Sequence, residues 1–326
     1  MPLTRTQNNP IITRQDIPEL RRDLHDVSSV FNPGATRWRG RELLVLRVQT
    51  RARTTVLLAA ERQPDGAVQF LGDPLKIEGL DKVSPAPAHV YDPRLTVIDD
   101  ILYMTLACDF AAGCHLLTAK TTDFERWEFV ALEQDVDQRN GALFPELSDG
   151  QFLRLQRPND SKRADGPTTG SAITLARSPD LKHWTEVATV MAGRPQRWDE
   201  WIGSGPPPVK TREGWLHIYH GVATHFAAAN IYQAGVVLLD LDDPSRVVAR
   251  GAFNILEPRE PWELTGQVPN VVFPSGLVVD DIDDDGFCAM HSSLRVYYGA
   301  ADTVIGLATA TIAELIADAH LDDDQV

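Results

Sequence analysis

Apolar residues along this chain come in short runs, at 43–48, 101–106, 152–155, 215–219 and 294–298, and each run follows a turn rich in Gly or Asp. The turns are Trp38-Arg39-Gly40, Asp99-Asp100, Ser148-Asp149-Gly150, Arg212-Glu213-Gly214 and the Asp-rich stretch that ends at Gly286. Each turn is preceded by a short leader: Asn32-Pro33-Gly34, Asp92-Pro93-Arg94, Pro145-Glu146, Pro206-Pro207-Pro208 and Val272-Phe273-Pro274. Steps from Asn32 to Asp92, Glu146, Pro207 and Phe273 are 60, 54, 61 and 66 residues. A period near 60 with several β-branched and aromatic strands per unit predicts a propeller. The expected fold is all-β, a five-bladed β-propeller with short helical N- and C-terminal extensions. In such a ring the leaders meet around one axis, so distant residues share one pocket.

The units read as 28–85, 86–140, 141–200, 201–262 and 263–312. Within them Leu116-Leu117-Thr118-Ala119 before Asp123-Phe124 repeats as Ile173-Thr174-Leu175-Ala176 before Asp180-Leu181, and each copy is followed by a tryptophan, Trp127 or Trp184. The chain therefore divides into an N-terminal extension (1–27), a propeller (28–312), and a C-terminal helix end with an acidic tail (313–326). Helical patterning is confined to residues 17–24 and 311–319. The first 27 residues are expected to pack under the propeller or to carry contacts between copies in a homo-oligomer.

Charge narrows the partners. With 31 Lys and Arg against 46 Asp and Glu, the net charge is −15, a field that repels nucleic acid and anionic membrane. No apolar stretch reaches the roughly 18 residues of a spanning helix, and residues 1–10 lack the apolar core of a signal peptide. Cys108, Cys114 and Cys288 cannot all pair and have no zinc-ligand spacing, so reduced thiols and a cytoplasmic location are expected. The run Asp280-Asp281-Ile282-Asp283-Asp284-Asp285-Gly286 opens like a calcium loop. It lacks the closing glutamate and falls where a hairpin turn is due, so no metal is expected.

Candidate chemistry gathers at the leaders. In Tyr91-Asp92-Pro93-Arg94, Pro93 is expected to hold Asp92 extended and turn its carboxylate off the regular sheet, with Arg94 projecting to the same side. An aspartate that trades a proton during bond cleavage would suit that setting; taken alone, an Asp-Pro turn is more often a structural device. Arg139, Arg157, Lys210 and His220 fall at what read as equivalent strand ends of adjacent units, on the face that carries Asp92. Three fixed cations and an imidazole in so acidic a chain point to a compact anion such as phosphate.

These motifs together resemble glycoside hydrolase family 130, five-bladed propeller enzymes acting on β-mannosides, most of them phosphorylases. The resemblance runs through Phe31-Asn32-Pro33-Gly34-Ala35, Leu46-Arg47-Val48, Tyr91-Asp92-Pro93-Arg94-Leu95-Thr96, Arg139-Asn140, Phe144-Pro145-Glu146 and Gln156-Arg157-Pro158. It continues in Gly205-Pro206-Pro207-Pro208-Val209-Lys210-Thr211, Tyr219-His220-Gly221-Val222, 266–273 and 297–303. It implies Asp92 as general acid, Asn32, Arg47, Arg94 and Asp302 around the non-reducing mannose, and Arg139, Arg157, Lys210 and His220 around phosphate. Inorganic phosphate would be the co-substrate, with no other cofactor, and the partner a β-mannoside oligosaccharide, linkage expected to be β-1,4.

An inverting hydrolase needs a second carboxylate to activate water, whereas phosphate needs only positioning and charge compensation. The expected reaction is thus phosphorolysis to α-mannose 1-phosphate and a shortened acceptor; the resemblance implies that the proton travels through the mannose 3-hydroxyl. The alternatives are an inverting β-mannosidase using a base such as Glu146, and a non-catalytic sugar-binding propeller. Two departures stand out. Asp109 lies where some relatives place a basic residue, and the polar loop at 159–170 has no family match and is expected to overhang the pocket. Trp198, Trp201 and Trp262 are candidates for stacking on acceptor sugars, or for blade packing.

Overall fold

The computed structural model describes residues 1–161, 169–224 and 230–321, and these form five small sheets arranged as a five-bladed β-propeller. The innermost strands are Ser29–Trp38, His89–Ile98, Gln138–Leu143, Trp201–Ser204 with Val209–Thr211, and Val272–Val279. Each blade then runs outward through antiparallel hairpins. Two of the tight turns, Arg39-Gly40 and Asp99-Asp100, join directly paired strand ends and have positive φ at both positions, as a two-residue hairpin requires. The repeated Asp123-Phe124 and Asp180-Leu181 corners are built alike. Asp123 Oδ1 accepts from the Glu125 and Arg126 amides, and Asp180 Oδ1 from the Lys182 and His183 amides, all at 2.9 Å.

Five apolar clusters hold the ring, one at each blade-to-blade junction. Leu44, Leu58, Val278 and Tyr297 join the first and fifth blades, and Phe144, Leu175, Trp215 and Val237 the third and fourth. A blade is covered on both faces, so its middle strands are buried throughout, as in Leu43-Leu44-Val45-Leu46. That explains the unbroken apolar runs in the sequence.

The ends differ from the sequence reading. Thr4–Arg5 pairs antiparallel with Val304–Thr311, so the N-terminus adds the outermost strand to the fifth blade and fastens the ring, while Ile12, Ile17, Leu24 and Val27 pack against the core between the first and fifth blades. Arg5 grips the fully buried Glu263 with two 2.7 Å bonds. Residues 17–24 form no α-helix. Arg14–Asp16 and Arg22–Leu24 are single 3-10 turns, because so short a segment is governed by the burial of Ile17 and Leu24 against the core. The C-terminal helix is Ile312–Ala319, capped reciprocally by Thr311 and Glu314. The acidic tail at 322–326 lies outside the described residues.

Candidate active site

The leaders reach the axis through bulges. Strand register breaks between Phe31 and Gly34, Tyr91 and Arg94, and Arg139 and Ala142. Asn32 (φ 46°), Asp92 (φ 53°) and Asn140 (φ 58°) occupy those breaks in the left-handed region. Asn and Asp tolerate that region better than other side-chain-bearing residues, and a bulge re-aims a side chain out of the strand's alternation. Asp92 is therefore not extended, as Pro93 suggested, but left-handed. For the same reason the even spacing of Asp92 and Arg94 does not bring their charged groups together.

Around Asp92 the geometry is tight. Arg47 Nη1 donates to Asp92 Oδ1 at 2.7 Å and Asn32 Nδ2 to the same oxygen at 3.0 Å. Both bonds fall on Oδ1, which leaves Oδ2 without a hydrogen bond among the described residues. Arg47 is sandwiched by rings, its guanidinium 4.3 Å from the Phe31 centroid and 4.4 Å from that of Tyr91. Asn32 is backed by Gly299, where a β-carbon would come within 1.9 Å of Asn32 Oδ1. Asp302, on the turn after the middle strand of the fifth blade, completes the group. Burial pushes its carboxyl up to about 6; Arg47 opposes the shift and Asp92 adds to it.

Arg94 has another place than the sequence suggested. It is 2% exposed, and its guanidinium donates to the carbonyls of Gly205 (2.7 Å), Ser204 (3.1 Å) and Asp92 (3.2 Å). It braces the second blade against the fourth across the axis. Burial, and then the charge of Arg157, bring it down to about 10, so it stays cationic at neutral pH.

Three of the four expected anion-binding residues meet. Arg139 and Arg157 are directly opposed across the first two strands of the third blade. Arg139 Nη2 lies 3.4 Å from Asp109 Oδ1, which also accepts from Tyr91 Oη at 2.7 Å. Arg157 Nη2 donates to Asn159 Oδ1 at 3.0 Å, and Asn159 Nδ2 donates to Asp137 at 2.6 Å. Burial, reinforced by Arg139, draws Arg157 down to about 10. His220 is 1% exposed and packs 4.6 Å from the Phe273 ring. Burial and the charges of Arg157 and Arg94 hold its pKa well below the usual range, so the imidazole is neutral. Among the described residues, several buried polar atoms here lack a hydrogen bond, Nε of Arg139 and Arg157, Oδ1 of Asn140 and Oγ of Ser204, and the His220 ring has the Ser204 backbone as a polar neighbour. Buried polar atoms are ordinarily satisfied, by water or ligand where protein partners are lacking.

Lys210 is not in this group. It pairs with Trp215 at the start of the strand Gly214–Ala223, five residues before His220, which is about 17 Å along a strand. Its Nζ donates to Glu146 Oε2 at 2.7 Å, and both line an apolar cavity of about 320 Å³ at the other mouth of the channel, with Thr36, Val97 and Ile282. The outer half of the fourth leader runs down the axis, so equivalent sequence positions lie at opposite ends of the ring. Glu146 is thereby also removed from Asp92. The Asp280–Gly286 stretch is a turn: Asp280 binds Arg295 and Arg37, while Asp283 binds Arg212 and the Asp285 and Phe287 amides. Trp198 stacks on Tyr219 and Trp262 on Tyr298, both packing contacts. Residues 162–168 of the loop expected to overhang the pocket lie outside the described residues. Sequence reasoning missed Tyr91, Asn140 and Ser204 as parts of the site; the left-handed bulge signature Asn/Asp before Pro or Gly would have found Asn140.

Residues 2–319 match the profile of a glycoside hydrolase family described as beta-1,4-mannooligosaccharide phosphorylase. The chain belongs to glycoside hydrolase family 130. It is 30% identical to the beta-1,4-mannooligosaccharide phosphorylase of Ruminococcus albus, over 94% of this chain and 88% of that one. It is 35% identical to a 1,2-beta-oligomannan phosphorylase of a Thermoanaerobacter species, over 69% of each chain. The fold is that of the β-1,2-mannobiose phosphorylase of Listeria innocua, solved with β-1,2-mannobiose, with a TM-score of 0.78 and 24% identity over 98% of this chain and 99% of that one.

Proposed function

We propose that this family 130 chain is an inverting β-mannoside phosphorylase. One observation carries the reading. A carboxyl group anchored by Asn32 and Arg47 stands beside a pocket lined by two opposed arginines, whose Nε atoms lack a hydrogen bond among the described residues, and a neutral histidine. Phosphate would sit between Arg139 and Arg157, with His220 contributing a neutral hydrogen bond. A phosphate oxygen attacks the anomeric carbon of the terminal mannose as the bond to the acceptor oxygen breaks. The proton that the acceptor needs originates on Asp92, whose Oδ1 is pinned and whose Oδ2 is the oxygen left for transfer. Charge building on the phosphate and the leaving oxygen is met by fixed dipoles and cations already in position. Asp302 and Asn32 would hold mannose hydroxyls.

The hydrolytic alternative is weakened by the location of Glu146, and Asp109, the carboxylate in the anion pocket, is engaged by Tyr91 and Arg139. Relatives carry both β-1,4 and β-1,2 names, so the β-1,4 linkage favoured by the sequence is tested directly. Incubation with α-mannose 1-phosphate and a panel of acceptors should yield a β-linked product whose linkage can be read by NMR. Mannose release that continues undiminished in phosphate-free buffer would instead identify a hydrolase.

A further inference from the structure

Two like-charged guanidinium groups set directly opposite each other repel, and a strand ladder normally avoids such a pair. Here each is restrained, and by different means. Arg157 is held by a neutral amide, Asn159, whose own carboxylate support, Asp137, stands one residue further back. Arg139 is held by a carboxylate, Asp109, at the long separation of 3.4 Å. Asp109 in turn is fixed by Tyr91 Oη at 2.7 Å.

Tyr91 is the wall between the two halves of the site. Its ring lies against the Arg47 guanidinium at 4.4 Å on one side and faces that of Arg139 at 5.9 Å. It immediately precedes Asp92 in sequence and is 5% exposed. Tyr91 thus touches the cation that anchors the acid and the cation that faces the anion pocket, and only its hydroxyl is tied down, by Asp109. Cys114 Sγ, 3.7 Å from that hydroxyl, is the remaining polar neighbour, and burial pushes its thiol up to about 11, so it adds no charge.

On the phosphorolytic reading above, we infer that Asp109 is a positioning residue for phosphate: held in place by the Tyr91 hydroxyl, it aims Arg139 into the pocket, and its negative charge sets how strongly phosphate is held. Two effects of opposite sign follow. The hydrogen-bond geometry of Asp109 helps phosphate by fixing the guanidinium. The charge of Asp109 competes with phosphate for that same guanidinium. A merely structural aspartate would not separate the two.

The test is steady-state phosphorolysis with wild type, Asp109→Ala, Asp109→Asn and Tyr91→Phe, varying phosphate and mannoside independently and recording melting temperatures. Asp109→Ala loses the aim of Arg139, and the phosphate KM is expected to rise about tenfold or more while the mannoside KM stays within about twofold. Asp109→Asn keeps an acceptor for both partners without the charge, and its phosphate KM is expected at or below the wild-type value. Tyr91→Phe keeps the ring between the arginines but frees Asp109, and is expected to raise the phosphate KM several-fold; it tests the inference even if Asp109→Ala does not fold. Equal effects of Asp109→Ala and Asp109→Asn, or equal shifts in both KM values, would overturn the positioning role. Wild type that releases mannose without phosphate, and loses that activity in Asp109→Asn, would make Asp109 a hydrolytic base and overturn the phosphorylase reading as well.

Discussion

Gly203 lies so close to His220 that a β-carbon on it would sit 2.5 Å from the imidazole Cε1 and 2.7 Å from Asn140 Oδ1. The two residues are direct partners on adjacent strands of the fourth blade. The bare backbone at Gly203 is what lets the histidine and the Asn140 amide share the floor of the proposed anion pocket. The close approach, not backbone conformation, demands glycine here.

Gly203→Ala should therefore act on the site more than on the fold. Overpacking of this kind costs about 1–3 kcal/mol, and the groups that would have to move are the His220 ring and the Asn140 amide, whose Oδ1 has no hydrogen bond among the described residues. We expect phosphate affinity to fall about tenfold with the cooperative melt retained. Calorimetric titration with phosphate would check this; unchanged affinity would mean that His220 does not contact the anion.

Asp92→Asn keeps an oxygen for Arg47 and Asn32 but has no proton to give. Loss of a general acid typically costs 10²–10⁴ in rate, so turnover should fall by about that factor while phosphate binding and melting temperature hold near wild type. Activity within about tenfold of wild type would remove Asp92 from the proton-transfer path.

The ring was legible in the sequence because blades bury both faces, which writes each strand as an apolar run and each hairpin as a Gly or Asp turn. The acid cluster was legible because Asn32 and Asp92 recur before proline at the same point of successive units. The direction in which a side chain leaves a bulge was not. Register breaks at Asn32, Asp92 and Asn140 abolish the two-residue alternation on which the pairing of Asp92 with Arg94 was based. Nor could spacing tell that Lys210, ten residues before His220, lies against the far end of the strand that carries the histidine, because the fourth blade's innermost strand is split into Trp201–Ser204 and Val209–Thr211. The N-terminal strand was invisible for a simpler reason: two residues carry no periodicity.

Lys210→Met follows from that placement. The lysine's ion pair with Glu146 is partly exposed, and such pairs contribute about 0–1 kcal/mol. Phosphate KM and turnover should stay within about twofold of wild type, with little change in melting temperature. A rise of about a hundredfold in phosphate KM would return Lys210 to the anion site.

Asp302 ties function to pH-dependent stability. Burial first, offset by Arg47 and reinforced by Asp92, raises its carboxyl to about 6 in the folded protein, above the 3.8 of an unperturbed aspartate. The folded state then binds the proton more tightly than the unfolded state. That contribution is fully present below about pH 4 and is lost as pH rises through 6. Above this window the ionised carboxylate costs up to about 3 kcal/mol. Asp302→Asn removes the charge but keeps the shape, so it should melt a few degrees higher than wild type at pH 8, with the difference closing towards pH 4. The same substitution should raise the mannoside KM, since a neutral amide accepts hydroxyl protons more weakly than a carboxylate. Melting curves and mannoside KM from pH 4 to 8 measure both arms; a gap in stability that does not narrow on acidification would show that Asp302 is not the group that titrates.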